Sequence, residues 1–347
     1  MTTPVPSTGY QDLLAQISST YASGRQQAAQ AVNSFLVQTY WQVGQHIVEF
    51  EQNGKDRAEY GAGLMHRLSA DLRTRHGKGF SRSNLISMRQ FYLLYPKSQK
   101  PSGFLSWSHY VELIRMDDPL ERGFYEQQAI AERWSVPELK RQYASALFLR
   151  LAASKDKAGI LQLARQGQRV ATPEDLLRQP YVFEFLKIPE TAQVSETQLE
   201  TALIENLQHF LLELGKGFTF VGRQYRITVG GTHYRVDLVF YHRILRCFVL
   251  IDLKMGDVQH HDIGQMNLYL GYFAKEENTP DDQPPIGIIL SRHKDELLVE
   301  YATYGMDSQL FVQKYQLYLP DKDELRREIE LSLREAGDAE DAEGVVG

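Results

Sequence analysis

Two strand-like segments carry the side chains best suited to chemistry. Tyr234–Tyr241 contains Asp237 within an apolar run, and Val249–Lys254 contains Asp252 and ends on a lysine. Carboxylates and an amine embedded in otherwise buried strands are costly unless they pair or bind something. These segments are therefore the first place to look for a reaction site.

Hairpin pairing would bring the two acids together. A turn centred between Ile244 and Leu245 aligns Asp237 with Asp252 on neighbouring antiparallel strands. Directly opposed side chains have Cβ atoms ~4.5–5.5 Å apart, so two carboxylates there repel unless a cation lies between them. The register therefore predicts a cation site.

The residues after Asp252 complete a metal-type site. Lys254 lies two positions on and returns to the same strand face, whereas Leu253 points away and offers only its carbonyl oxygen. Carboxylate and carbonyl oxygens are ligands of hard cations, so we expect Asp237, Asp252 and Leu253 to bind Mg²⁺, with Mn²⁺ as an option. A lysine beside such an ion can orient an attacking water, which is phosphoryl-transfer chemistry.

Charge is distributed unevenly along the chain. The formal net charge is −6, yet residues 1–165 carry 20 Lys/Arg against 14 Asp/Glu, and residues 55–100 carry ten against three. A basic cluster of this kind indicates a polyanionic partner. We expect this partner to be DNA, and RNA fits the same pattern.

The amino-terminal half, residues 1–165, is predicted to be a helical and basic domain. Apolar residues recur at helical spacing, and Gly77, Gly79 and Ser81 separate two helices in a helix-turn-helix outline. An ordinary basic helical hairpin is the competing interpretation, and phosphate contact is favoured over base reading. The candidate nucleic-acid-binding residues are Arg73, Arg75, Lys78, Arg82, Asn84 and Arg89.

The second half is predicted to be an α/β domain. Prolines interrupt the periodicity at residues 166–190, which we interpret as a linker, and residues 191–332 follow the order α-β-β-β-α-β. The acidic residues 333–347 lack the apolar side chains needed to order themselves. No run approaches the ~20 apolar residues of a membrane helix, and the single cysteine excludes an intrachain disulfide, so we expect a cytoplasmic protein without a membrane partner.

The same residues resemble a known nuclease signature. Asp237 followed by Asp252-Leu253-Lys254 resembles the PD-(D/E)XK motif, and further segments are similar to the bacterial YhcG-type family over residues 10–320. Those segments include Phe210–Phe218, Gly222-Arg223-Gln224, Phe104–Tyr110 and Trp134–Leu139. The resemblance implies a helical amino-terminal domain joined to a restriction-endonuclease-like domain, with a central mixed sheet flanked by helices.

The resemblance also implies roles for individual residues. It implies Asp237 and Asp252 as metal ligands, Lys254 as the water-orienting cation, and Gln265 as a helper from the helix after the site. A further glutamate from the first helix of the core is implied, for which Glu205 is favoured over Glu213. The expected activity is Mg²⁺-dependent phosphodiester hydrolysis. A nuclease-like binding or assembly protein that no longer cuts is the alternative, and a homo-oligomer is compatible with either.

Overall fold

The computed structural model describes residues 8–53, 63–96, 104–327 and 329, apart from Ser154, Asp156, Gln179, 190–193 and Lys294. The chain forms two compact units, residues 1–140 and 141–347. The predicted boundary at 166–190 is not tested by this division and stays a prediction. The predicted acidic tail, 333–347, lies outside the described residues.

The first unit is helical throughout its described part. Its helices are α1 (Thr8–Asn53), α2 (Leu64–His76), α3 (Arg82–Leu94), α4 (Trp107–Leu113), α5 (Pro119–Glu132) and the start of α6 (Val136–Ala144). Helix α3 begins at its cap Ser81, whose hydroxyl accepts a hydrogen bond from the Asn84 amide. Helices α1 and α3 pack so closely at Gly44 that an added Cβ would overlap the Met88 carbonyl. None of the described helices is long and apolar enough to cross a membrane.

The second unit is built on a six-stranded mixed sheet. Its strands are β1 (Tyr181–Val182), β2 (Phe218–Val229), β3 (Thr232–His242), β4 (Cys247–Asp257), β5 (Ile286–His293) and β6 (Gln309–Gln316), in the order β1-β6-β5-β4-β3-β2. The β2-β3 and β3-β4 pairs are antiparallel, whereas β4-β5, β5-β6 and β1-β6 pair in parallel. The expected mixed sheet is confirmed.

The helices of the second unit flank this sheet. They are the end of α6, α7 (Leu147–Ala152), α8 (Lys157–Gln166), α9 (Glu196–Glu205), α10 (Leu207–Leu214), α11 (His260–Tyr272) and α12 (Glu296–Thr303). One core joins α9 and α10 to one sheet face, and a second core joins α11 to the other face. Helix α11 approaches β5 so closely that a Cβ at Gly287 would lie 2.7 Å from Met266 Cγ.

Two hairpins connect β2 to β3 and β3 to β4. Gly230 and Gly231 have φ of 57° and 84° and connect Val229 directly to its partner Thr232, which is the left-handed geometry that glycine favours in two-residue turns. In the β3-β4 hairpin, Leu238 pairs with Ile251, so Asp237 and Asp252 are the next opposed positions. The predicted register of the two acids is confirmed.

Other elements differ from the sequence-based prediction. The first helix of the predicted order is two helices, because Asn206, with φ of −110° and ψ of 30°, separates α9 from α10. Strand β1 lies inside the segment interpreted as a linker, because Tyr181 and Val182 extend the sheet by pairing with β6. Strand β6 and helix α12 were not predicted.

A buried ionic cluster fixes α10 within the second unit. The Glu213 carboxylate is fully buried and faces Arg150 Nη1 at 2.5 Å, Arg178 Nη1 at 3.3 Å and Arg141 Nη2 at 3.5 Å. It also accepts a hydrogen bond from the Val182 amide of β1 at 2.9 Å. Despite burial, these guanidinium groups hold the pKa of Glu213 below its usual range. Glu213 therefore offsets the buried charge of Arg150 and Arg178, whereas Arg141 also pairs with Glu184 at 2.9 Å.

Neutralising this carboxylate should destabilise the second unit. We expect Glu213→Gln to lower the free energy of unfolding by roughly 3–5 kcal/mol, because it leaves buried guanidinium charge uncompensated. Urea unfolding monitored by far-ultraviolet circular dichroism measures the change, because the chain's three tryptophans all lie in the first unit. Glu205→Gln, on an exposed position one helix earlier, is the matched control and should stay within about 0.5 kcal/mol of the parent. Equal stability of the two variants would contradict the assigned role of Glu213.

Candidate active site

The two acids predicted to converge do so at the end of the β3-β4 hairpin. Asp237 is half-buried and accepts a hydrogen bond from the Leu253 amide to its Oδ2 at 2.9 Å. Asp252 is 5% exposed, and its pKa is raised to about 7, first by burial and then by the neighbouring Asp237 carboxylate. Two carboxylates that repel in a nearly dry site need a cation to ionise together.

Lys254 lies beside this pair and is held by acids on several sides. Its Nζ is 2.9 Å from Asp252 Oδ2 and 3.5 Å from Asp262 Oδ1, and its side chain keeps 19% of its surface exposed. Burial alone would lower the pKa of Lys254, but Asp252, Glu196 and Asp262 outweigh it and raise the pKa well above the usual range. Lys254 is therefore a fixed ammonium that still reaches solvent. Asp262, which anchors it from the start of α11, was not predicted.

A third carboxylate, Glu200 of α9, joins the site through Gln224. Gln224 Nε2 donates to Glu200 Oε2 at 2.6 Å and to Asp237 Oδ1 at 3.0 Å. Glu200 is 2% exposed, and its pKa is raised by burial and by Asp237. Arg223 Nε lies 3.2 Å from its other oxygen. Neither Glu200 nor Gln224 was predicted as a site residue.

The backbone at Gln224 is strained, and its side chain explains why. Gln224 has φ of +48° within β2, a conformation that costs a non-glycine residue of order 1 kcal/mol or more. Its neighbours Arg223 and Tyr225 pair with Leu238 and Val236, so Gln224 lies opposite Asp237. The amide thus reaches two acids at once. Strain at such a position is typical of functional sites.

The structure corrects the assignment of Glu205. Helix α9 buries the face that carries Leu199, Glu200 and Leu203, and Glu205, five residues beyond Glu200, lies on the exposed side. Glu213, the other candidate, is enclosed by arginines in the cluster described above. The sequence offered one signal for Glu200, because this residue adjoins the apolar positions Leu199 and Leu203.

Gln265 lies on α11 and contacts the edge of the site. Its Nε2 donates to the hydroxyl of Tyr269, which in turn donates to the Arg235 carbonyl at 3.1 Å. Burial raises the pKa of Tyr269, and the charges of Asp252 and Asp237 add to this effect. Gln265 is therefore brought near the carboxylates through Tyr269, and its direct role stays a prediction.

The donor set fits a hard divalent cation. Asp237 and Asp252 supply adjoining carboxylates, and the Leu253 amide donates to one of them. Burial and the charge of the Asp237 carboxylate raise the pKa of both Asp252 and Glu200. Carboxylate oxygens of this kind are ligands of hard divalent cations. Within the described residues, however, no group of three or more His, Cys, Asp or Glu side chains is arranged to hold a metal ion. A cation here would thus depend on two carboxylates, a carbonyl and water, as Mg²⁺ commonly does.

The six predicted nucleic-acid-binding residues divide into two groups. Arg73, Arg75, Lys78 and Arg82 are exposed around the α2-α3 turn, and we call these four residues the basic surface. Asn84 instead bonds the Gly79 carbonyl at 2.6 Å and the Trp107 indole at 2.7 Å. Arg89 pairs with Glu51 at 2.6 Å. The latter two are committed to packing within the first unit, which weakens their assignment to DNA.

Both halves of the chain match known protein families. Residues 174–330 match the YhcG PDDEXK nuclease domain, and residues 16–150 match the DUF1016 N-terminal domain. YhcG of Escherichia coli (strain K12) is 37% identical over 354 aligned positions, covering 92% of this chain and 94% of that protein. The chain belongs to the YhcG family. The PDDEXK domain of this family contains every carboxylate of the candidate site.

Two solved structures share weaker likeness with this YhcG-family chain. A repair endonuclease from Pyrococcus abyssi is 21% identical, with 38% of this chain and 50% of that chain covered and a TM-score of 0.26. An EndoMS-dsDNA2 complex is 16% identical, with 39% and 51% covered and a TM-score of 0.26. The alignments span about half of each of those chains.

Removing the buried charge at Asp252 should stabilise the metal-free protein at alkaline pH. The folded protein holds the Asp252 proton up to about pH 7, whereas an unfolded aspartate releases it near 4, so this group destabilises the fold progressively as pH rises between them. Asp252→Asn should therefore be more stable than the parent by roughly 1–4 kcal/mol at pH 8.5, with a smaller difference at pH 5.

Urea unfolding in chelator at pH 5, 7 and 8.5 measures this difference. Asp281→Asn, at an exposed position, is the control, and its effect should not change with pH. An Asp252→Asn effect that is equally independent of pH would show that Asp252 is not held as the structure indicates.

Proposed function

We propose that this YhcG-family protein is a divalent-metal-dependent nuclease that hydrolyses phosphodiester bonds in DNA, with the helical unit holding the substrate. The observation that carries the proposal is the convergence of Asp237 and Asp252 beside the partly exposed ammonium of Lys254. Family membership supports the nuclease class, because the PDDEXK domain contains these residues. The choice of DNA and of Mg²⁺ is our own inference.

The residues that would hold the cation are Asp237, Asp252 and the carbonyl of Leu253. When bound, Mg²⁺ or Mn²⁺ would supply a water of lowered pKa and offset negative charge on the phosphate oxygens. The side-chain amide of Gln224 donates to both Glu200 and Asp237, so Glu200 would help to orient Asp237. This set of oxygen donors suits phosphate chemistry better than redox chemistry, which favours softer ligands.

Hydrolysis requires water to attack phosphorus while the bond from phosphorus to one sugar oxygen breaks. The leaving oxygen takes up a proton, and no covalent intermediate with the protein forms. Lys254 suits the role of a hydrogen-bond donor to the water or to a phosphate oxygen, because its raised pKa keeps it charged at neutral pH. For the same reason Lys254 is a poor general base. Asp252 and Asp262 hold the ammonium in position.

The basic surface suits a polyanion without indicating sequence readout. Its four cations are exposed on consecutive elements of the first unit, at the α2-α3 turn. Lysine and arginine contacts to phosphate position a nucleic acid but carry little sequence information. We therefore propose that this surface binds the DNA backbone.

A cleavage assay with three variants tests the proposed activity. We expect the parent protein to cut DNA in the presence of Mg²⁺ or Mn²⁺ and not in chelator. Lys254→Ala should lower the rate constant ~10²-fold or more, because it removes a preorganised donor. Glu200→Gln should lower the rate and Glu205→Gln should not, since only Glu200 contacts the site.

Several results would refute parts of this proposal. Cleavage unchanged by Lys254→Ala would remove the proposed site from the reaction. Binding without cleavage across single-stranded, duplex and branched DNA and RNA would favour a binding protein with a nuclease-like fold. Cleavage of RNA alone would show that the substrate assignment is wrong.

Substitution of the basic surface tests the proposed DNA contact. We expect the combined variant Arg73→Gln, Arg75→Gln, Lys78→Gln and Arg82→Gln to weaken DNA binding and to reduce the slope of log K against log salt by roughly 1–4. Fluorescence anisotropy at several salt concentrations measures both. Arg115→Gln with Lys140→Gln, two exposed cations that share Glu112, is the control within the same unit. An unchanged slope would exclude these residues as phosphate contacts.

A further inference from the structure

The first turns of α1, about six in all, extend without packing against any described element. Every described side chain of residues 9–25 and 27–29 is exposed, although the segment is helical throughout. A Cβ added at Gly24 would meet no atom within 4 Å outside the helix backbone itself. In proteins most helical stability comes from packing of an apolar face, and only Asp12 and Arg25 carry charge over residues 8–31. The segment therefore has the composition of a helix that packs against a partner.

An apolar stripe with strict coiled-coil spacing runs along the surface of this helix. Steps of alternating four and three residues connect its members, which are Tyr10, Leu14, Ile17, Tyr21, Gly24, Ala28, Ala31 and Phe35. Spacing that averages 3.5 residues keeps one seam facing a second helix, whereas packing onto a globular core tolerates a looser pattern. The large members are conspicuously exposed, with Tyr10 at 56%, Ile17 at 58%, Tyr21 at 67% and Phe35 at 70%.

The order of large and small residues along the stripe selects both the partner and its direction. The amino-terminal half of the stripe is large, whereas Gly24, Ala28 and Ala31 in the second half are small. A second copy aligned in parallel would place small residues against small ones over three successive layers and leave voids. A second copy in antiparallel alignment fills these layers, because large residues then meet small ones.

The antiparallel match extends along the whole stripe. With the two-fold axis between Tyr21 and Gly24, the facing pairs are Tyr21 with Gly24, Ile17 with Ala28, Leu14 with Ala31, and Tyr10 with Phe35 of the second copy. Each residue i that contacts j is matched by j contacting i, as a two-fold interface requires. In this alignment neither Asp12 nor Arg25 faces its own counterpart, so like charges do not oppose each other.

We propose that α1 pairs with α1 of a second copy of this chain as an antiparallel coiled coil over residues 10–35. Burying the large stripe residues would remove roughly 500–700 Å² per chain from water. The two chains together would bury about 1,000–1,400 Å², which reaches the lower limit of ~1,200 Å² for specific interfaces. Each particle then contains two copies of the carboxylate site. The proposal is independent of the proposed nuclease function, because it depends on α1 alone.

Sedimentation of the full-length protein tests whether the chain pairs. The parent is expected to be a dimer at micromolar concentration. Ile17→Lys should raise the dimer dissociation constant more than about tenfold, because each dimer would bury two lysines. Ile17 is exposed within the single chain, so this change cannot unfold the packed part of the protein. Ser19→Lys, which adds the same charge on the opposite side of α1, is the control and should remain dimeric.

Cysteine cross-linking of the full-length protein tests the direction. The chain's one native cysteine, Cys247, is buried, so only the introduced thiols are available to form a disulfide between chains. An equimolar mixture of Tyr10→Cys and Phe35→Cys chains, distinguished by mass, should give the mixed dimer on oxidation. Tyr10→Cys by itself should give almost none. A monomeric parent, a dimer that Ile17→Lys leaves intact, or efficient self-linking of Tyr10→Cys would overturn the proposal.

Discussion

Repulsion between Asp237 and Asp252 is the constraint around which the second unit is arranged. Burial and proximity raise the pKa of Asp252 to about 7, and the same field acts on Glu200. A buried pair of like charges lowers stability, so its presence requires support from the surrounding structure. That support comes from Lys254, from the Leu253 amide and from Gln224, each of which contacts one of the acids.

The residues of the site come from five different elements. Strands β3 and β4 supply the two aspartates, the left-handed position on β2 supplies Gln224, α9 supplies Glu200, and the start of α11 supplies Asp262. The Glu213 cluster fixes α10 beside β1, and α10 follows α9 directly along the chain. Rigid packing on both sheet faces thus holds the acids at a separation that they would not adopt freely.

The first unit combines two surfaces of different chemistry. The basic surface at the α2-α3 turn is charged and exposed, whereas the amino-terminal part of α1 is almost free of charge and presents apolar side chains. Charge suits a solvated polyanion, whose contacts stay partly hydrated. An uncharged stripe with regular spacing suits a second apolar helix. The two surfaces therefore have different kinds of partner.

The sequence by itself determined the local features of this protein. Hairpin register follows from turn position and strand alternation, which are short-range properties, so the opposition of Asp237 and Asp252 and the return of Lys254 to their face could be predicted. The mixed sheet and the helical first half follow from periodicity in the same way.

Tertiary structure alone decided which distant residues join the site. Glu200 and Glu205 lie on one predicted helix, and only its packing against the sheet, with the break at Asn206, shows that Glu200 turns inward. Gln224 enters through a left-handed backbone position that no turn motif marks, and Asp262 enters because α11 begins beside Lys254. Contacts between residues far apart in the chain depend on how whole elements pack, and spacing along a sequence does not record this.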